Sequence, residues 1–221
     1  GSEMCIRDSV VTANKALLSK HGTELFEIAE KNNVLLLYEA AVAGGIPIIR
    51  VIKQSIFLNR IKKISGILNG TTNYILSEME SNNLDFNEVL KKAQSNGYVE
   101  SDPTNDVEGI DAAYKLSILS SLSYKSFVKD SDVYCEGITN ISAKDFQIAK
   151  ELGYEIKLIA FSEFKDNKVS ARVHPTLISK NQMLANVHGV LNSVQIETDL
   201  IGEVLFHGAG AGSLPTASAV L

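Results

Sequence analysis

The stretch Val34-Leu35-Leu36-Leu37-Tyr38 decides the fold class, because it is an apolar run without polar alternation. A second apolar stretch, Val10-Val11-Thr12, precedes it. The segment between them carries apolar residues at helical spacing, across Gly22 to about Lys31. Continuous apolar strands that flank a helix are typical of a parallel sheet covered on both faces. The sequence therefore predicts two buried parallel strands joined by a helix, as at the end of a doubly wound nucleotide-binding domain.

The later part of the chain shows a different pattern, in which apolar and polar residues alternate. Such alternation predicts strands of a sheet with one face in contact with water. We expect an α/β fold that joins a remnant of a Rossmann-type domain to an α+β substrate and dimerisation domain with a mixed, largely antiparallel sheet. Strands are predicted at 61–68, 133–135, 156–161, 168–173 and 193–197, and helices at 48–57, 74–80, 85–95, 110–122 and 140–152.

Composition excludes several classes of protein. The 221 residues carry a net charge of −5, which disfavours a nucleic-acid binder with a basic face. No run of about eighteen apolar residues occurs, so no membrane span is expected. Cys5 and Cys135 are far apart and the four histidines lack ligand spacing, so neither set predicts a metal site. Two cysteines and no signal peptide favour a reducing cytoplasm.

A loop rich in acidic residues leads into the predicted helix at 110–122. It reads Gly97-Tyr98-Val99-Glu100-Ser101-Asp102-Pro103-Thr104-Asn105-Asp106-Val107-Glu108-Gly109, and Asp111 and Lys115 follow on one helical face. A pair at this spacing is most often a solvated surface pair that contributes about 0.2–0.5 kcal/mol. The neighbouring apolar run disfavours plain exposure of this pair. Because clustered carboxylates repel one another, a ligand that carries an ammonium group would relieve the repulsion.

The small-residue segment Glu39-Ala40-Ala41-Val42-Ala43-Gly44-Gly45-Ile46-Pro47 has two interpretations. Its free carbonyls and Glu39 could bind a cation, or it could be a tight connection between a strand and a helix. The residues alone favour the tight connection, since glycine loops are common.

Taken together, these motifs resemble homoserine dehydrogenase, over nearly the whole chain from Val10 onward. The resemblance implies reversible hydride transfer between L-homoserine and L-aspartate 4-semialdehyde with NADP or NAD, in the biosynthesis of threonine, methionine and isoleucine. The blocks that carry it, in order, are 11–15, 39–47, 66–74, the acidic loop, and 216–220 after the turn Gly208-Ala209-Gly210-Ala211-Gly212.

The resemblance also implies roles for individual residues. Lys115 matches the proton donor and acceptor for the alcohol and aldehyde oxygen, a role that suits a lysine. Asp111 matches a residue that contacts substrate and would orient Lys115, while Lys15 matches a lysine near nicotinamide and substrate. Glu100 and Asp106 would hold the substrate's ammonium group through charge-assisted hydrogen bonds.

Further matches concern backbone positions. Gly97 and Gly210 match places where the chain approaches cofactor or substrate. For the small-residue segment, the resemblance favours a monovalent-cation site over a tight connection. The expected cation is sodium. Its ligands would be Glu39, together with Val42, Gly44 and Ile46 through their carbonyls.

Four segments are expected: a cloning or assembly remnant at 1–9, the end of the nucleotide-binding domain at 10–46, a substrate and dimerisation domain at 47–205, and a return segment at 206–221. No G-x-G-x-x-G turn precedes Lys15. Three βαβ units of about 30 residues would supply it, roughly 90 residues in all. We therefore expect a truncated enzyme that binds NADP poorly and turns over little or not at all.

Two alternative functions are compatible with the same sequence. One is a non-catalytic, dimerising module that binds an amino acid, which would have no use for Lys15, Asp111 and Lys115 together. The other is a different nicotinamide enzyme with the same substrate domain, which would need a different acidic loop. An open, alternating sheet also predicts a homodimer.

Overall fold

A computed structural model describes residues 9–97 and 99–221, so most of the predicted remnant, with Cys5, and also Tyr98 lie outside the described residues. Strand β1 (Val10–Val11) pairs in parallel with β2 (Leu36–Leu37), and helix α1 (Lys15–Lys31) connects them. The parallel pairing is confirmed. The prediction that both strands are buried is wrong, because Val10, Val11 and Leu37 are all exposed in this two-stranded sheet.

The main sheet has six strands in the order β4-β6-β5-β3-β7-β8. All neighbouring pairs run antiparallel except β4 and β6, which run parallel, so the mixed, largely antiparallel sheet is confirmed. Strand β3 lies near the middle and pairs with β5 on one side and β7 on the other. The strands are β3 (Ile61–Ile67), β4 (Tyr134–Cys135), β5 (Tyr154–Lys165), β6 (Lys168–Ser179), β7 (Leu191–Thr198) and β8 (Glu203–Ala209).

Helices cover one face of this sheet and enclose the main core, which includes Ile64, Leu116, Leu119 and Val194. None of the helices among the described residues is long and apolar enough to cross a membrane. Besides α1, the helices are α2 (Ile48–Arg50), which continues as a π-helix over Val51–Ser55, α3 (Gly70–Asn82), α4 (Phe86–Ser95), α5 (Thr104–Val107), α6 (Ile110–Tyr124), α7 (Ala143–Glu151) and α8 (Ser213–Val220).

Strands β5 and β6 run farther than predicted, to Lys165 and Ser179, and two further differences from the predicted boundaries lie beside the acidic loop. Helix α3 begins at Gly70, four residues before the predicted start, because the Asn69 side chain accepts a hydrogen bond from the backbone N–H of Thr72 and caps the helix. The short helix α5 forms inside the acidic loop, which the sequence alone did not predict. Both differences place polar side chains near the start of α6.

A group of titratable side chains lies apart from the acidic loop, where α3 meets β5. Lys157 is 1% exposed, and its ammonium donates to the Val187 carbonyl at 2.9 Å. Burial lowers the pKa of Lys157, while the carboxylates of Glu155 and Glu80 act in the opposite direction. Burial, followed by the hydrogen bond to and charge of Glu155, raises the pKa of Glu80 from 4.5 to about 7.

This raised pKa predicts a stability that depends on pH. A carboxyl with a higher pKa in the folded state contributes stability that is complete below pH 4.5 and is lost as pH rises through about 7. We expect Glu80→Gln to reduce the fall in the free energy of unfolding across that range. Urea unfolding at a series of pH values measures it.

The control is Glu78→Gln, a change of the same kind on the same helix. Burial, and then the charge of Lys157, lower the pKa of His188, which makes stability fall as pH decreases. The quantity to compare is therefore the difference in the free energy of unfolding between the variant and the wild-type chain at each pH. Identical pH profiles for Glu80→Gln and the wild-type chain would contradict the assignment.

Candidate functional site

Helix α6 carries two charged residues into the interior. Gly109 precedes it with φ = 80°, a left-handed conformation that glycine adopts without strain. Asp111, in the first turn of the helix, is 7% exposed, and Lys115, one turn further along, is 9% exposed. Their side chains form an ion pair of 2.7 Å between Lys115 Nζ and Asp111 Oδ2. The pair is therefore buried, and the interpretation as a solvated surface pair is wrong.

The Lys115 ammonium is held from two sides. Besides Asp111, it donates to the backbone carbonyl of Leu68, with Nζ 2.6 Å from the oxygen. Leu68 directly follows β3, so the end of a central strand fixes one N–H and helix α6 fixes another. An ammonium has three N–H donors, and among the described residues Asp111 and Leu68 account for two of them, so the third can serve a ligand in the adjoining cavity.

The Asp111 carboxylate joins three separate segments. Its Oδ1 lies 3.0 Å from Lys15 Nζ, at the start of α1, and its Oδ2 accepts from the Asn69 amide at 2.9 Å. Burial alone would raise the pKa of Asp111. The ammonium groups of Lys115 and Lys15 and the Asn69 hydrogen bond outweigh burial and hold the pKa below its usual range. Asp111 therefore stays ionised.

Asn69 was not predicted as a site residue, but it connects the cluster. Its Oδ1 caps α3, and its Nδ2 donates to Asp111 and also to Asp106 Oδ1, at 2.6 Å. The signal in the sequence was the polar run at 69–73, which capping alone would not require. Asn69 brings the short helix α5 and helix α6 together, so two carboxylates face one space.

That space is a cavity of about 550 Å³. Charged side chains form one wall, and small residues of the segment at 39–47 and of the glycine-rich turn form another. A second cavity of about 380 Å³ adjoins it and shares Lys15, Glu100, Asp106 and Asp111. Glu100 is exposed and lines both cavities. The larger cavity is lined by Ala13, Lys15, Ala40, Ala41, Ala43, Gly44, Asn69, Gly70, Thr71, Tyr74, Glu100, Asp106, Asp111, Lys115, Val190, Ala209, Gly210, Ala211 and Thr216.

The other predicted site residues and the remaining carboxylates of the acidic loop do not all line the two cavities. Gly210 lines the larger cavity, whereas Gly97 follows α4 with φ = 73° and lies outside both linings. Asp102 accepts hydrogen bonds from the Thr104 hydroxyl at 2.6 Å and the Thr104 N–H at 3.2 Å and lines only the smaller cavity, whereas Glu108 is part of neither lining. The acidic residues of the loop therefore do not all face the same point.

The segment at 39–47 forms a tight connection. The Glu39 carboxylate accepts from the backbone N–H groups of Ile49 and Arg50, each at 2.8 Å, at the start of α2. Ala43 and Gly44 are left-handed, with φ values of 57° and 51°. A methyl group on Gly44 would lie 2.5 Å from the Gly210 carbonyl oxygen, so this close approach requires glycine.

Comparison with known proteins assigns the chain to a family. A sequence model described as homoserine dehydrogenase matches residues 47–221. The chain is 51% identical over 212 residues to a homoserine dehydrogenase of Neisseria gonorrhoeae and 53% identical over 216 residues to one of Synechocystis. Each match covers 96% of this chain and 49% or 50% of the relative, so the chain spans about half the length of these curated relatives.

Solved structures agree with the sequence matches. A homoserine dehydrogenase from Thiobacillus denitrificans superposes with a TM-score of 0.94 at 49% identity, covering 96% of this chain and 49% of that one. A hyperthermophilic archaeal homoserine dehydrogenase in complex with NADPH superposes with a TM-score of 0.83 at 32% identity, covering 96% and 61%. The family match, the close relatives and the shared fold lead to one conclusion: this chain belongs to the homoserine dehydrogenase family.

Proposed function

We propose that this chain supplies the substrate site and the proton-transfer lysine of an NAD(P)-dependent homoserine dehydrogenase, which interconverts L-homoserine and L-aspartate 4-semialdehyde in the cytoplasm. The observation that carries the proposal is the Lys115 ammonium, fixed by Asp111 and the Leu68 carbonyl beside a cavity with further carboxylates. Family membership and the archaeal relative with NADPH support it.

The position of Lys115 suits proton transfer to an oxygen. When the aldehyde is reduced, the carbonyl oxygen gains negative charge and takes a proton from the free N–H of Lys115. In the reverse direction the neutral amine accepts the proton of the hydroxyl group. Asp111 remains ionised throughout, and together with the Leu68 carbonyl it keeps the Lys115 nitrogen directed at the cavity.

The ionised groups around the cavity suit the rest of the substrate. Glu100 and Asp106 supply carboxylates for the substrate's ammonium group, while Lys15 supplies a positive charge near the reacting end. The wall of Ala13, Gly44 and Gly210 has small side chains, which leaves room for a flat nicotinamide ring. A nicotinamide bound here would supply or accept the hydride.

We further propose that the segment at 39–47 binds a monovalent cation, sodium by preference. Both oxygens of the Glu39 carboxylate already accept backbone hydrogen bonds, so the carbonyls of Val42, Gly44 and Ile46 are the stronger candidates for ligands. The Ile46 carbonyl also accepts from Ile48 N–H at 2.7 Å. Sodium-23 NMR line widths measured with and without the chain test this proposal, and unchanged widths would contradict it.

Lys115→Ala tests the proton-transfer role. The background is a full-length relative, such as the Neisseria gonorrhoeae enzyme, in which residues 10–221 of this chain replace the matching segment. Because general acid–base catalysis contributes roughly 10²- to 10⁴-fold, we expect kcat to fall by about that factor. The KM for homoserine should change little, and steady-state kinetics measure both.

The matched control is Lys20→Ala, which removes an exposed lysine outside both cavity linings. It should leave kcat unchanged. An unchanged rate in Lys115→Ala would exclude this lysine from the mechanism. A wild-type hybrid that binds homoserine without turning it over would favour the amino-acid-binding module instead.

Ligand binding by the chain alone tests ammonium recognition without a cofactor. We expect L-homoserine to bind more tightly than 4-hydroxybutyrate, which has the same hydroxyl and carboxylate groups but no ammonium. Glu100→Gln should weaken homoserine binding by about 10- to 100-fold, since a hydrogen bond to a charged group contributes about 1.5–3 kcal/mol. Isothermal titration calorimetry measures the difference.

Glu108→Gln provides the control, because it removes a carboxylate from the same loop but outside both linings. It should leave the affinity for homoserine unchanged. Equal binding of the two ligands by the wild-type chain would contradict a role for the carboxylates in ammonium recognition.

We also propose that the chain forms a homodimer through the sheet face opposite the helices. This face is partly open: Arg172 lies over the Phe161 ring at 4.2 Å, and Lys63 pairs with Glu197 at 3.0 Å. Charges of both signs around an aromatic ring allow the same patch to pair with its own copy.

Phe161→Glu tests the dimer. We expect light scattering to show a dimeric mass for the wild-type chain and a monomeric mass for the variant, because the new carboxylates would repel across the interface. Leu200→Asp is the control, since Leu200 is exposed in the turn between β7 and β8. A monomeric wild-type chain at high concentration would contradict the proposal.

A further inference from the structure

Asn192 is a buried polar residue that no role described above uses. It lies near the start of β7 and is 1% exposed. Its Nδ2 donates to the backbone carbonyl of Leu68 at 3.0 Å. Leu68 follows β3, the neighbour of β7, so this hydrogen bond joins the ends of two adjacent strands outside the regular ladder.

The same carbonyl holds the catalytic lysine. Lys115 Nζ donates to Leu68 O at 2.6 Å, so the carbonyl accepts one hydrogen bond from Lys115 and one from Asn192. A carbonyl has two lone pairs, and both are used here. Asn192 therefore fixes the direction of the acceptor, which in turn fixes the direction of the ammonium.

On its other side, Asn192 packs against the glycine-rich turn. A methyl group on Gly210 would overlap the side-chain amide of Asn192, so the amide lies flat against the Gly210 backbone. The Gly210 carbonyl in turn packs closely on Gly44. One side chain thus fills the space between the lysine's acceptor and a wall of the larger cavity.

The two polar atoms of the Asn192 side-chain amide differ in their hydrogen bonding, since Nδ2 has a partner. Asn192 Oδ1 is buried and has no hydrogen-bond partner within the described part of the chain. A buried polar atom without a partner is destabilising, and an apolar side chain at this position would avoid that cost. Nδ2 therefore links Asn192 to the site, through its hydrogen bond to the Leu68 carbonyl.

We propose that Asn192 is a positioning residue, which directs the Lys115 ammonium into the cavity by holding the Leu68 carbonyl while it packs against Gly210. This inference rests on the role proposed above for Lys115. It adds that the glycine-rich turn and the lysine are coupled through one amide, so a change at Gly210 alters the lysine without contact between the two.

The test uses the 221-residue chain with ¹⁵N-labelled lysine, and it records the ¹H–¹⁵N signals of the ammonium groups. The signal that disappears in Lys115→Ala is assigned to Lys115, and the signal that disappears in Lys157→Met is assigned to Lys157. Lys157 is the internal reference, because it donates to Val187 and not to Leu68. In Asn192→Ala we expect the Lys115 signal to shift or disappear and the Lys157 signal to stay in place.

Gly210→Ala is the second variant, which retains Asn192 but displaces its amide. It should alter the Lys115 signal in the same way, and it gives an answer even if Asn192→Ala does not fold. The control is Ser193→Ala, since Ser193 is the next residue in β7, fully buried, and donates to the Phe206 carbonyl at 3.1 Å. It should leave both lysine signals in place.

An unchanged Lys115 signal in the folded variants, or an equal change in Ser193→Ala, would overturn the proposal. In the full-length hybrid, Asn192→Ala should lower kcat by roughly 10- to 100-fold with little change in KM, because small misplacements of a catalytic group cost about that much. An inactive wild-type hybrid would instead count against the proposed function, while the NMR result still decides the role of Asn192.

Discussion

The ionised Asp111 carboxylate is the interaction on which the site depends. It lies inside the protein, where an unpaired charge would be strongly unfavourable, and two ammonium groups and one amide compensate it. Those partners come from α1, α6 and the N-terminal cap of α3, so the carboxylate also joins three segments. Buried ion pairs of this kind seldom increase stability relative to apolar residues of similar size. Their presence suits the proton-transfer chemistry proposed for Lys115 better than it suits a role in folding.

The six-stranded sheet provides the rigid support for that chemistry. Strand β3 lies between β5 and β7, so the Leu68 carbonyl at its end is placed by a central strand and not by a mobile loop. Helix α6 packs on the same sheet and brings Lys115 to that carbonyl. A site supported by a strand and a helix can hold a proton donor more accurately than a loop can, which matters when small displacements slow a reaction.

Much of this arrangement could be predicted from local sequence. The spacing of Asp111 and Lys115 determines that they share a helical face, and the order of helices and of most strands follows from periodicity. Burial was less predictable: Val10 and Leu37 lie in apolar stretches yet are exposed, because their pairing involves only two strands. Asn69 belongs to a polar run at 69–73 that the sequence displays, but its hydrogen bonds to Asp106 and Asp111 join residues about forty positions apart, which no local pattern encodes.

The sequence by itself therefore determined the class of fold, the resemblance to the family, and the pair of charges that would face a ligand. Periodicity and turn chemistry act between residues a few positions apart, so a sequence displays them directly. Only the tertiary structure decided that the pair is buried, that Lys15 and Asn69 complete it, that Gly97 lies outside the cavity linings, and that Asn192 shares an acceptor with Lys115. Those contacts depend on how distant strands and helices pack, and packing sets distances that the spacing of residues along the chain does not.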